Sequence, residues 1–321
     1  MTLQSGPVVC VSYLALAELW TVPQFPLANH GAEVRSIEWS VAADGPMTAA
    51  VLASLGAPTL LISNDIGDDE HGGFVHDWLE QRHVEPAFAI RSEVTTPRIV
   101  VAADGDHTRT WFAHLPGVVA SLEQAEFSTV SRASFIYLDC YELIEAAALR
   151  VIAAGAVAEV PLLLNLGGSE LSEAVAAAVA GYPRLLIQTN VDDAHHGEAS
   201  ALAEHLLAET GAAWVIVTAG AFGAVAVSRT EQVAVPAFPV QVLHTHCAGA
   251  AFSGGLLYGV RAGWTMRRSM QLGSASGALR CVRPHGDPLP SLDEMEAVIV
   301  SAQQFRSSVT PLWTAGKLRT V

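Results

Sequence analysis

Short, continuous apolar runs alternate along the chain with alanine-rich stretches of helical periodicity, and this alternation constrains the fold more than any other feature. Such runs predict strands buried on both faces of a sheet, and their alternation with helices predicts parallel β–α–β units. The predicted strands are Val8–Val11, Thr59–Ile62, Phe135–Leu138, Pro161–Leu164, Leu185–Gln188 and Trp214–Thr218. The predicted helices are Met47–Leu55, Gly72–Arg82, Leu143–Ala154, Glu170–Ala180, Ala199–Thr210 and Ala248–Ala262. We expect an α/β fold with a central, mostly parallel sheet flanked by helices.

Composition narrows the classes of partner. The 321 residues include 17 Lys and Arg against 32 Asp and Glu, and the net charge of −15 argues against nucleic acid or an anionic membrane surface. The longest stretch without a charged residue, Gln232–Val260, contains prolines and histidines and is not expected to cross a bilayer. Met1–Pro7 lacks the features of a secretory signal, which predicts a cytoplasmic location. No linker or repeat interrupts the pattern, so we expect one domain over residues 1–321.

Two segments depart from the continuous apolar pattern. Glu33–Val41 and Pro97–Phe112 alternate polar and apolar residues, which predicts strands with one face in water. They would form a small sheet beside the main body, acting as a lid over a ligand site or as a contact between subunits. An exposed apolar face on such a lid would need covering, so we expect a homodimer.

Ligands of open parallel sheets bind beyond the carboxyl ends of the strands, so the residues after each strand are the site candidates. Acidic residues and glycines follow Thr59–Ile62, and Asn190 and Asp193 follow Leu185–Gln188. Gly220 and Gly223 follow Trp214–Thr218. The last such turn, His244–Phe252, opens a predicted helix and contains His244, His246 and Cys247.

The order of these motifs resembles the ribokinase or pfkB carbohydrate-kinase family over nearly the whole chain. The resemblance implies a ribokinase-like fold with a small β lid and an ATP- and Mg²⁺-dependent transfer of phosphate to a small alcohol. The motifs that carry it are Ile66-Gly67-Asp68-Asp69 with Gly72, Thr95-Thr96-Pro97, Asn190 with Asp193, Thr218 with Gly220 and Gly223, and His244–Phe252.

The resemblance also implies that several functional residues have been replaced. The family's catalytic aspartate, which takes the proton from the substrate hydroxyl, falls at Ala250, and the glycine of its anion-binding turn falls at Cys247. The sugar-contacting aspartate falls at Ala17. A Gly-Gly pair and an Asn fall at about Ala42-Ala43 and Met47. No catalytic residue can therefore be named with assurance, although His246 is a candidate substitute base.

For the remaining site the resemblance implies a nucleotide half and a substrate half. The nucleotide half would comprise Asn190, Asp193, Thr218, Gly220, Gly223, Cys247, Ala248 and Gly249, with Asp193 on the Mg²⁺ side. The substrate half would comprise the positions of Ala17 and Met47, with Arg98 and Arg109 reaching in from the lid.

Simpler interpretations stay open for each of these residues. Asn190 and Asp193 could cap a helix, Gly220 and Gly223 could only turn the chain, and the lid arginines could be surface charges. Three functional classes remain: a pseudokinase or strongly impaired kinase, an active ATP-dependent kinase of a sugar, nucleoside or related alcohol, and a repurposed enzyme in the same cleft. In each case the partner would be a small-molecule ligand, and without kinase-like binding the cofactor is unknown.

Overall fold

The computed structural model describes residues 6–106 and 108–308. The strands in this part are β1 Val8–Val11, β2 Ala15–Thr21, β3 Ser36–Ala42, β4 Thr59–Ile62, β5 Ile66–Gly67, β6 Glu85–Ala87, β7 Ile90–Arg91, β8 Arg98–Ala103, β9 Arg109–His114, β10 Phe135–Asp139, β11 Leu162–Asn165, β12 Leu185–Asn190, β13 Trp214–Thr218, β14 Ala224–Val227 and β15 Gln232–Val235. The helices are α1 Asp44–Ser54, α2 Glu70–Glu80, α3 Val118–Gln124, α4 Glu145–Val157, α5 Glu173–Val179, α6 Ala199–Thr210, α7 Ala248–Arg261, α8 Met266–Cys281 and α9 Leu292–Ser308.

A nine-stranded sheet forms the centre, in the order β15-β14-β13-β12-β11-β10-β1-β4-β6. The strands from β13 to β6 are parallel, and β14 and β15 add an antiparallel edge. All six predicted strands lie side by side in this sheet, which confirms the expected fold class. Continuous apolar runs were a reliable signal because both faces of the sheet are covered.

Side chains alternate between the two faces of each strand and build two apolar layers. Val8 and Cys10 pack with α1, α2, α7, α8 and α9, whereas Val9 and Val11 pack with α3, α4, α5 and α6. No helix in the described part of the chain is long and apolar enough to cross a membrane.

The lid is a separate four-stranded sheet in the order β3-β2-β8-β9. Both predicted lid segments lie in it. The first, Glu33–Val41, is a strand only over Ser36–Ala42, and the second is a β8–β9 hairpin that contains residue 107, which lies outside the described residues. The sequence prediction was wrong in omitting β2, the strand between β3 and β8. No strand was predicted over Ala15–Thr21, which only three residues separate from the end of β1.

The two helices that follow α7 in the described part were also not predicted. Helix α8 presents Gly and Ser rather than a stripe of large apolar residues, because it packs very closely on α7. A side chain at Gly255 would collide with the backbone of Leu272 and Gly273, and one at Gly259 would collide with Ser269. Close packing of small residues leaves little hydrophobic periodicity in the sequence.

Helix α1 begins after an alanine in a backbone conformation that belongs almost exclusively to glycine. Ala43 has φ 72° and ψ 166°. The resemblance to the carbohydrate kinases implied a glycine near this position. Ala43 therefore adopts the backbone conformation expected of the glycine that the resemblance implied.

We expect Ala43→Gly to raise the free energy of unfolding by roughly 1 kcal/mol or more, because relief of the backbone strain outweighs the extra entropy of glycine in the unfolded chain. Denaturant unfolding measures the difference. Ala42→Gly is the matched control, since Ala42 ends strand β3 in ordinary extended backbone and should lose stability. Equal destabilisation by both substitutions would contradict the strain at Ala43.

Candidate active-site cleft

A row of polar side chains crosses the carboxyl ends of the central strands. Asp139 is in register with Asn165, and Asn165 with Gln188, so the three side chains share one face of the sheet. Ser12 follows the end of β1 and donates a hydrogen bond to Asp139 Oδ2 at 2.6 Å. All four residues are buried.

Asp139 is the centre of this row and accepts hydrogen bonds from four groups. Its Oδ2 atom accepts from the Ser12 hydroxyl and, at 2.8 Å, from the Gly45 backbone N–H at the start of α1. Its Oδ1 atom accepts from the Tyr137 hydroxyl and the Asn165 amide, each at 2.8 Å. Burial, followed by the negative charge of Asp44, raises the pKa of Asp139 to about 7.

Asp44, the first residue of α1, brings a second carboxylate to the cleft. Its Oδ2 accepts hydrogen bonds from the Tyr141 hydroxyl at 2.8 Å and from the Asn165 amide at 2.9 Å. The Asn165 amide nitrogen thus bridges Asp44 and Asp139. The Tyr141 ring lies directly over Gly167, where a side chain would collide with it, and 5.7 Å from the ring of Tyr13. Asp44 is half-buried, so its carboxylate borders the open part of the cleft.

The start of α7 borders the same cleft. Its N-cap is Cys247, which has the left-handed φ of 58° that favours glycine, and no side chain caps the helix. The resemblance implied a glycine here, so this glycine conformation has also survived replacement. Burial raises the pKa of the Cys247 thiol to about 12, which keeps it protonated at neutral pH. Gly249 is exposed and has open space where a side chain would lie.

The candidate base His246 is held by the protein rather than directed at a ligand. Its Nε2 lies 3.0 Å from the Val41 carbonyl oxygen and 3.3 Å from Cys247 Sγ. Donation to the carbonyl places the proton on Nε2. Burial, followed by the charge of Arg280, lowers the pKa of His246 to about 3. A neutral imidazole with so low a pKa is a weak proton acceptor.

The predicted sugar-contact positions are closed to solvent. Ala250 and Ala17 are 0% exposed, and Met47 is 1% exposed. Met47 and Ala250 belong to one continuous apolar layer, and Ala17 packs in a small cluster beneath the lid. The neighbour of Met47, Thr48, donates a hydrogen bond to the Ala250 carbonyl at 3.1 Å and so joins α1 to α7. These positions are filled by protein atoms.

The two lid arginines point in different directions. Arg98 pairs with Glu18 at 3.6 Å, on the opposite face of the lid from Ala17. Arg109 reaches the other way, and its Nη1 donates to the Thr245 carbonyl at 3.3 Å, two residues before the N-cap of α7. The structure thus brings Arg109, but not Arg98, to the start of α7.

The predicted nucleotide-side residues form a second group at the ends of β12 and β13. Asn190 is in register with Thr218, whose hydroxyl donates to the Thr189 carbonyl at 3.4 Å. Asn190 and Asp193 are exposed. A side chain at Gly168 would press on Asn190, and one at Gly220 would collide with the Asp193 carboxylate. Gly223, with φ 95°, turns the chain against the backbone of Val235–Ala237.

Sequence reasoning missed the polar row, although a signal for it was present. Asp139 and Asn165 stand at the carboxyl ends of two predicted strands, where the rule that gave Asn190 also applies. Asp44 carried no such signal, because it meets Asn165 only when α1 packs against the end of β11. Ser12 was wrongly passed over as part of a segment with almost no polar chemistry.

A parallel sheet covered on both faces, a β lid and a helix beginning at the carboxyl end of the sheet define a ribokinase-like α/β protein. A nucleoside kinase of Methanocaldococcus jannaschii, described as an archaeal member of the ribokinase family, has a similar structure, with TM-score 0.76 and 17% identity over 93% of this chain and 99% of that one. The ribokinase of Thermotoga maritima gives TM-score 0.74 and 19% identity over 92% and 99% of the two chains.

Sequence similarity identifies the family to which the chain belongs. Residues 16–291 match the pfkB family carbohydrate kinase domain, and the chain belongs to this family. A stretch of 88 residues is 30% identical to a 5-dehydro-2-deoxygluconokinase of Geobacillus thermodenitrificans (strain NG80-2). That similarity spans 26% of this chain and 26% of the relative's length.

The raised pKa of Asp139 predicts how stability changes with pH. An acid whose pKa is higher in the folded state stabilises the fold below its unfolded pKa, near 4, and loses that contribution as the pH rises towards about 7. We expect Asp139→Asn, which cannot ionise, to gain stability relative to the wild type across this window, by at most about 4 kcal/mol.

Denaturant unfolding of both proteins over a series of pH values measures this difference. The substituted side chain keeps one acceptor oxygen for the Ser12 and Gly45 donors. A part of the stability difference that does not change with pH would therefore report hydrogen bonds lost elsewhere on this side chain. A constant difference between the two proteins at every pH would show that the pKa of Asp139 is not raised.

Proposed function

We propose that this chain is a pseudokinase of the carbohydrate-kinase family, which binds ATP with Mg²⁺ in the cleft but does not phosphorylate sugars. Among the similar structures, an Arabidopsis thaliana ribokinase is complexed with ribose and ATP, and a putative ribokinase II from E. coli is in complex with ATP and Mg²⁺. Those ligands belong to those proteins, and they support the nucleotide part of the proposal.

The observation that carries the proposal is the closed apolar surrounding of Ala250. A general base must lie within hydrogen-bond distance of the hydroxyl that it deprotonates. Ala250 offers a methyl group there, and no solvent reaches it. Met47 closes the same region, so a sugar hydroxyl could not be held in reach of a phosphate at this point.

The residues of the predicted nucleotide half support the proposal that the chain binds ATP. Asn190 and Asp193 are exposed at the end of β12, and Gly168 and Gly220 are placed where a side chain would fill the space against them. Carboxylate and amide oxygens are ligands that Mg²⁺ accepts, and the uncapped start of α7 offers N–H groups and a positive dipole end to phosphate. Bound Mg²⁺ would neutralise phosphate charge there. These residues fit a magnesium–nucleotide complex.

Asp44 favours a second candidate, an active kinase with a relocated base. It is a half-buried carboxylate on the cleft, fixed by Tyr141 and Asn165. Its charge is one of the causes that raise the pKa of the Cys247 thiol, which places it near the start of α7. A small alcohol bound between Asp44 and that helix start could donate its proton to Asp44.

We expect the wild type to bind ATP–Mg²⁺ in calorimetry without phosphorylating a panel of sugars, nucleosides and polyols. Asp193→Asn should weaken ATP binding in the presence of Mg²⁺ by about tenfold, because it removes a charge from the metal side. Asp192→Asn is the matched control, since Asp192 is an exposed neighbour with the same charge and no role in the proposed site.

Phosphate transfer to any member of the panel would exclude the pseudokinase. If Asp44→Asn then abolished that transfer, the relocated base would be supported. We expect Ala250→Asp to stay inactive on common sugars, because the new carboxylate would enter a filled apolar site. The absence of ATP binding at millimolar concentration would remove the nucleotide part of the proposal.

We also propose that the chain is a single domain acting in the cytoplasm. One sheet joins strands drawn from residues 8–235, and α9 packs on α8 in the same apolar layer as the N-terminal strands. All four cysteines are free, three of them buried, as expected of a protein from a reducing compartment.

The outer face of the lid supports the proposed homodimer. Ile37 and Phe112 are exposed there by 56% and 67%, beside Trp20 and Val100. The Arg98–Glu18 pair lies next to them and places both signs of charge on the patch, as a self-complementary contact requires. A second copy of the chain is the occupant that we propose.

We expect light scattering at micromolar concentration to give the mass of two chains, and Phe112→Asp to give the mass of one. Val157→Asp is the control, because Val157 is an even more exposed apolar residue at the end of α4, away from the lid. A monomeric wild type, or a dimer that persists in Phe112→Asp, would contradict this interface.

A further inference from the structure

Arg280, in the last turn of α8, is a buried cation without a carboxylate partner among the described residues. Its side chain is almost wholly enclosed, since the residue is 3% exposed. Its Nη2 atom donates to His285 Nδ1 at 2.7 Å, and its Nη1 atom lies 3.4 Å from His244 Nε2. Its Nε atom has no hydrogen-bond partner in the described structure.

The groups in contact with Arg280 do not neutralise it, and the Glu38 carboxylate, whose charge acts to raise the pKa of Arg280 against burial, forms no ion pair with it. His285 Nδ1 accepts a hydrogen bond and must therefore be unprotonated, and burial lowers the pKa of His285 to about 2. His285 stacks on His244 at 3.8 Å and meets His246 edge-on at 5.6 Å. Arg82, a second cation, is close enough that Arg280 lowers its pKa. A buried charge without a counterion is costly, so this arrangement favours an anion nearby.

Arg280 contacts the segment that leads into α7 through His244. The Cys281 carbonyl, next to Arg280, accepts from the backbone N–H of Leu243 at 2.8 Å, which ties the end of α8 to the segment leading into α7. Arg280 Nη1 lies 3.4 Å from His244 Nε2, three residues before the α7 N-cap Cys247, and the charge of Arg280 opposes the burial that raises the pKa of the Cys247 thiol. Arg109 approaches the same segment from the lid.

We propose that Arg280 is a built-in positive charge that holds a phosphate group at the start of α7. The phosphate would contact the N–H groups of the uncapped helix beside Gly249, where space is open. Arg280 would attract the phosphate electrostatically, without a direct contact. Arg280 is thus a positioning residue, and the ligand class is a phosphate ester or diphosphate. This inference rests on the proposed nucleotide binding and names the charge that assists it.

The test compares charged and uncharged ligands in the full-length protein. A unit charge acting over several ångströms at an effective dielectric constant near 20 is worth about tenfold in affinity. We expect Arg280→Met to weaken ATP and inorganic pyrophosphate about tenfold while leaving adenosine unchanged. Because a structural defect would weaken all three ligands, this difference separates a charge effect from misfolding.

Two further substitutions at Arg280 separate the effect of its charge from the effect of its hydrogen bonds. Arg280→Gln retains donors for His285 without the charge, and it should lose affinity for ATP as Arg280→Met does, whereas Arg280→Lys should retain most of it. Arg268→Met is the matched control on the same helix, because Arg268 is half-exposed and already paired with Glu296 at 2.9 Å. It should leave all three affinities unchanged.

Three results would overturn the inference: unchanged pyrophosphate binding in both neutral variants, a parallel loss of adenosine and ATP, or an equal loss in Arg268→Met. Failure of the proposed function gives a different pattern. If the wild type binds neither ATP nor adenosine but binds pyrophosphate with the same dependence on Arg280, the nucleotide proposal fails and the phosphate site stands.

Discussion

The buried carboxylate of Asp139 is the interaction on which the rest of the cleft depends. Four donors converge on it from β1, α1, β10 and β11, so that the Ser12 turn, the start of α1 and the Asn165 amide are fixed with respect to one another. Asn165 then orients Asp44, and Asp44 orients Tyr141. Buried hydrogen bonds of this kind hold their partners in one geometry, so these segments meet in a defined arrangement at the floor of the cleft.

The two ends of the cleft have diverged in different ways. On the side where the resemblance places the substrate, Ala17, Met47 and Ala250 are buried among apolar side chains. On the phosphate side the backbone has been kept: Cys247 still takes a left-handed conformation, as Ala43 takes a glycine conformation at the start of α1. Such strain persists only where surrounding structure imposes it. A closed substrate side beside an open phosphate side is the combination that the proposed pseudokinase requires.

The sequence predicted the body of the fold better than the lid or the site. The central strands are uniformly apolar because helices cover both faces, and that signal needs no knowledge of neighbours. Strand β2 was missed although its first residues are apolar and buried, and only three residues separate it from β1. Helix α8 was missed because Gly and Ser at its contact with α7 carry no periodic pattern. The resemblance located Ala250 and Cys247, whereas the positions of Asp44 and Arg280 in the cleft followed from packing.

The sequence by itself determined the α/β class, the strands of the parallel sheet and the family. Only the tertiary structure decided which polar groups meet. Asp44 and Asp139 are 95 residues apart along the chain, and Arg280 and Cys247 lie on different helices. Hydrophobic periodicity is a local property of a segment and can be read from it. Hydrogen bonds and charges act between segments, and their partners are set by how the helices pack on the sheet.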